Sequence, residues 1–123
     1  RDEARKIAFV HGGIDPSAFP ACDDDVRLWT RSAKFLDTHR WPDRRELEGL
    51  LVVHGHTPRD DLEPYRDDRR INVDTGVCYG GPLTCVALAP NEHPRFLRAR
   101  RRTLFFVASH PRAAGNPRLC RRS

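Results

Sequence analysis

Two stretches of the chain share one pattern, an apolar run that stops at a histidine beside glycine. Residues 6–10, "KIAFV", lead into His11-Gly12-Gly13, and residues 50–53, "LLVV", lead into His54-Gly55-His56-Thr57-Pro58. Short runs rich in β-branched and aromatic residues, closed by turn formers, predict buried β-strands. Between them, "DDDVRLWTRSAKFLD" opens with aspartates suited to capping a helix, and Leu28, Phe35 and Leu36 recur at helical spacing with Trp29 beside them. A helix over about 24–37 follows. Pro42 biases Trp41 away from helical dihedrals and marks a loop. After the polar stretch "RDDLEPYRDDRR" at 59–70, Ile71–Val73 and Leu83–Leu88 read as strands. The "DTG" and "YGGP" between them supply turn chemistry, so a β-hairpin is expected there. "TLFFVA" at 103–108 is a further strand candidate, flanked by arginines and without an evident partner.

Length adds that 123 residues suffice for one domain with one core. The apolar runs fall far short of a membrane span, and "RDEARK" at the N-terminus lacks the apolar stretch of a signal peptide. A soluble, cytoplasmic protein is expected, with no membrane partner. Cys22, Cys78, Cys85 and Cys120 match no metal or redox spacing, so free thiols are expected. The net charge of +5 is unevenly placed, for residues 91–123 hold nine arginines against one glutamate. That composition, mixed with proline and alanine, fits a solvated, disordered tail from residue 91 onward. It is favoured over a nucleic-acid-binding segment, because no aromatic stacking pattern accompanies the charge.

Histidines at the carboxyl ends of neighbouring strands can converge on one crevice, and convergent imidazoles suit a metal ion. Glycines beside them let the chain turn sharply and a ligand come close. A hydrogen-bonded or exposed histidine is the competing reading at each position.

Taken in order, "FVHGGIDP", "WTRSAKFL", "VVHGHTP" and "INVDTGVCYGGPLTCVAL" resemble the second half of a calcineurin-like metallophosphoesterase, over about residues 5–89. The branch they resemble includes bacterial serine/threonine protein phosphatases and diadenosine-tetraphosphate hydrolases. The resemblance implies an α/β fold, the C-terminal half of a double β-sheet sandwich flanked by helices. It implies that His11 and His56 ligate one of two divalent ions, manganese, iron or zinc, and that Arg31 faces the substrate phosphate. His54 would pack in its strand or support the ligands from behind. Asp74 would be structural, and Gly76, Gly80 and Gly81 backbone devices of a hairpin. The implied substrate is a phosphorylated protein or a nucleotide.

The first half of that family carries Gly-Asp-x-His-Gly, Gly-Asp-x-x-Asp-Arg-Gly and Gly-Asn-His-Glu, none of which occurs here. Residues 1–90 are therefore expected to be a C-terminal half, inactive in isolation because two ligands do not complete a metal site. A non-catalytic binding module that uses the basic tail is the alternative outside enzymology.

Overall fold

The computed structural model describes residues 6–90 and 92–100. They form an α/β domain with two sheets and short helices. Strand β1 (Lys6–Phe9) lies parallel to β2 (Leu50–His54), in the register Lys6 to Leu50 and Phe9 to Val53. On its other side β2 pairs in parallel with β4 (Arg70–Asn72), and the short β3 (Tyr65–Arg66) closes that edge antiparallel to β4. The order is β1-β2-β4-β3. Every residue of β2 is buried, as a central strand covered on both faces requires. Alternation along it divides the core. Leu50 and Val52 join Ile14, Cys22, Phe35, Trp41 and Leu47 on one face. Leu51 and Val53 join Ile71 on the other, with Val86, Leu88 and Phe96 packed against them.

The expected helix over 24–37 is two helices, α1 (Asp24–Trp29) and α2 (Ala33–Leu36). Thr30 and Ser32 have extended dihedrals, with ψ of 133° and 132°. Ser32 spends its hydroxyl on the Lys34 amide to cap α2, as Asp23 caps α1 through the Val26 amide. Short polar side chains that bond the nearby backbone offer an alternative to continued helix. The turn then lets Phe35 reach full burial while Leu28 and Trp29 stay exposed.

The expected hairpin is also corrected. Ile71 and Asn72 belong to β4 beside β2, while β5 (Leu83–Ala87) pairs antiparallel with β6 (Arg95–Ala99) in a separate sheet. Residues 73–82 cross between the sheets through a single 3₁₀ turn at Val77–Tyr79. At Gly81 a β-carbon would overlap the Thr75 carbonyl oxygen, so the crossover needs glycine there. Because β6 lies beyond residue 90, the expected boundary between domain and tail cuts through a strand pair. An ion pair from Arg98 to Glu63, at 2.6 Å, ties β6 to the loop after β2. The 103–108 segment lies outside the described residues. Among the described residues, no helix is long and apolar enough to cross a membrane. Cys22, Cys78 and Cys85 carry free thiols, and Cys120 lies outside the described residues.

Candidate functional site

Because β1 and β2 run in parallel, both histidine-bearing turns emerge at the same end of the sheet. The ladder continues past the strands, with the Val10 amide donating to Val53 O at 3.1 Å and the Gly55 amide to His11 O at 2.9 Å. From the other side α1 presses on this end. The Gly12 amide donates to Arg27 O at 2.6 Å, and a β-carbon on Gly12 would lie 2.8 Å from Leu28 O. Glycine at 12 thus permits the approach that brings Trp29 and Arg31 beside the histidines.

The structure gathers the three residues singled out by sequence. Arg31 Nε donates to His56 Nε2 at 3.3 Å, and His56 Nδ1 lies 3.2 Å from His11 Nε2. Since arginine only donates, His56 Nε2 must accept, which places its ring proton on Nδ1 and makes His11 Nε2 the acceptor. The two imidazole centroids are 4.9 Å apart, and the Trp29 ring stands edge-on to His56 at 5.5 Å. Partial burial, then the charge of Arg31 and the neighbouring His11, hold the His56 pKa below the ordinary imidazole value.

His56 has φ of 66°, a left-handed conformation uncommon outside glycine. Such backbone costs about 1–3 kcal/mol and persists where its surroundings over-determine it. Here the Thr57 amide donates back to Gly55 O at 2.8 Å, closing a three-residue turn around His56. Asp74 is engaged locally, its carboxylate accepting from the Gly76 amide at 2.9 Å.

Sequence reasoning placed His54 in its strand or behind the ligands, and the structure buries it beneath this turn. What that reasoning missed are the charged partners Arg70 and Asp67. His54, 1 % exposed, donates from Nδ1 to Gly55 O at 3.1 Å and accepts at Nε2 from Arg70 Nη1 at 3.1 Å. Arg70 Nε forms an ion pair with Asp67 Oδ2 at 3.7 Å, beyond hydrogen-bond reach, and that oxygen accepts from the Thr38 and Tyr65 hydroxyls. Asp67 and Arg70 sit in a stretch whose polar composition reads only as an exposed loop. Burial, and then the charge of Arg70, push the His54 pKa down to about 4.

Imidazole nitrogens are suitable ligands for a divalent ion, and two of them converge. Among the described residues, however, no group of three or more His, Cys, Asp or Glu side chains could hold one. Comparison with protein-family models, with curated proteins and with solved structures gave no match to this chain.

Proposed function

We propose that the chain carries one corner of a dinuclear metallophosphoesterase site, in a fold that is half of a double-sheet sandwich. His11 and His56 would hold one divalent ion, manganese, iron or zinc. Arg31 would pair with the phosphate of a phosphoprotein or nucleotide. The observation that carries this reading is the 3.2 Å between His11 Nε2 and His56 Nδ1. Two nitrogens bound to one tetrahedral ion at about 2.05 Å lie about 3.3 Å apart. Donor type and spacing fit; number falls short, since catalytic sites use three protein ligands. On this reading, carboxylates from another part of the protein complete the set. A dinuclear centre, when bound, supplies an activated water and stabilises charge on phosphorus.

The residues of this chain then act through their protons. With His56 Nδ1 committed to an ion, the ring proton sits on Nε2, which no longer accepts from Arg31. The guanidinium is released, and its planar fork can take two phosphate oxygens.

Manganese titration of the chain, followed by NMR, tests the ligand pair. The ring signals of His11 and His56 should broaden before those of His39 and His93; equal broadening of all four would overturn the assignment. With millimolar manganese, the isolated chain should hydrolyse para-nitrophenyl phosphate well below about 1 per second, the lower end of typical enzyme rates. In a longer protein that supplies the carboxylates, His11→Ala or His56→Ala should abolish turnover, and undiminished hydrolysis would refute the proposal.

The exposed Trp29, beside His56 and two residues from Arg31, favours a dinucleoside polyphosphate as a second reading of the substrate. An aromatic face offered next to a phosphate site can stack a base. In the longer protein, Trp29→Leu should then slow hydrolysis of a dinucleoside tetraphosphate about tenfold, in line with the usual energy of base stacking. Hydrolysis of para-nitrophenyl phosphate should be unaffected.

A further inference from the structure

We propose that His54 is a positioning residue: its Nδ1–H grips the Gly55 carbonyl and fixes the left-handed turn that sets the His56 imidazole against His11. Gly55 is the hub of this arrangement. Its amide donates to His11 O at 2.9 Å, while its carbonyl accepts both the Thr57 amide at 2.8 Å and His54 Nδ1 at 3.1 Å. One peptide unit therefore holds the backbone of His11 and the turn at His56 together. A three-residue turn with positive central φ is the rare, strained form, so the second donor on its carbonyl is a support the turn needs.

His54 is itself held on three sides. A carbonyl oxygen only accepts and a guanidinium only donates, so the contacts with Gly55 O and Arg70 Nη1 are compatible with a single neutral form, protonated at Nδ1. Arg70 is anchored in turn by Asp67, whose Oδ1 accepts the amides of Arg69 and Arg70 at 2.8 and 2.7 Å. The Phe35 ring meets His54 edge-on at 4.8 Å. Few side chains can donate to the carbonyl of the next residue, accept from an arginine on the far side and present an apolar ring to Phe35. Histidine does all three. The chain Asp67–Arg70–His54–Gly55 thus connects the β3–β4 turn to the candidate site.

The importance of this for catalysis rests on the phosphoesterase reading, but the geometry does not. The experiment is accordingly run without metal or substrate, so the two can fail separately. Long-range proton–nitrogen NMR of the histidine rings in the whole chain at pH 8 should find His54 protonated at Nδ1, with a nuclear Overhauser contact between the rings of His11 and His56. His54 protonated at Nε2 would overturn the proposal. In His54→Phe, which keeps a ring and loses both hydrogen bonds, the contact between His11 and His56 should vanish. In His54→Asn, whose amide can still donate to Gly55 O but cannot reach Arg70, the contact should return. A residue that merely fills space predicts the reverse order, because phenylalanine fills the site better. Should His54→Phe fail to fold, the outcome rests on the wild-type tautomer and on His54→Asn, whose folded form without the contact would equally overturn the assignment.

Discussion

At His54 a buried side chain makes stability fall as the pH drops below neutral. Burial and the charge of Arg70 push its folded pKa down to about 4, against 6.5 for the ordinary imidazole. Above about pH 6.5 the ring is neutral in both states and the interaction is fully present. Between 6.5 and 4 the unfolded chain takes up a proton that the folded chain refuses, and stability falls by up to about 1.4 kcal/mol per pH unit, about 3 kcal/mol in all. His56 is displaced in the same direction and adds to the slope. Urea midpoints at pH 7.5 and 4.5 should differ accordingly, and His54→Asn should remove most of the difference. A variant with the wild-type slope would place the dependence elsewhere. The charged partner behind this shift was hidden from sequence reading. Arg70 is 8 % exposed within a run of twelve residues rich in arginine and aspartate. Nothing in such a run distinguishes the one arginine that faces inward. The strand-end pattern, by contrast, pointed to His11 and to the His54–His56 pair, while the choice of His56 and Arg31, the latter between α1 and α2, came from the family resemblance. The mutual contact of His11, His56 and Arg31 needed the parallel pairing of β1 and β2, which no local pattern encodes.

Among the elements, the strands were read better than the helices and the connections. β1 and β2 follow from apolar runs bounded by turn formers, and β2 is buried throughout as such a run implies. The burial also expected of β1 is not met, because among the described residues it is an edge strand, with Phe9 and Ile7 exposed. The helical pattern over 24–37 failed at Thr30 and Ser32, whose local hydrogen bonds broke a periodicity that rested on only three apolar positions. Likewise, the strand segments at 71–73 and 83–88 were found, but pairing by proximity in sequence was wrong. β4 is drawn to the apolar edge of β2 and β5 to β6. Capping and glycine geometry make the elements testable. Asp23→Ala removes the 2.8 Å cap on the Val26 amide and should cost about 1 kcal/mol, read from thermal unfolding. The glycines should separate by surroundings. Gly49 has φ of 66° and open space around its α-carbon, so Gly49→Ala should cost about 1–2 kcal/mol, from backbone conformation alone. Gly81→Ala drives a methyl into the Thr75 carbonyl and should exceed about 3 kcal/mol. Equal costs at the two positions would mean that the crossover between the sheets yields easily.

For the whole molecule, the distribution of apolar surface matters more than its amount. On β1, which is paired only with β2 among the described residues, Phe9 is 70 % and Ile7 37 % exposed. On the second sheet Leu83 and Leu97 are 62 % and 54 % exposed, while Val86 and Phe96 point inward to the core. Leu97 lies opposite Cys85, itself exposed, so the outward face of this strand pair is largely apolar. An edge strand with apolar side chains is a template for further pairing, and charge on such an edge opposes it. The chain should therefore self-associate reversibly, with a sedimentation coefficient that rises with concentration. Phe9→Lys and Leu97→Lys replace side chains that contribute little to the core, so each should fold. If the β1 edge drives association, Phe9→Lys alone should suppress it. If the outward face of β5 and β6 drives it, Leu97→Lys should. Additive effects would implicate both surfaces. A wild-type sedimentation coefficient independent of concentration would show that neither surface sustains association.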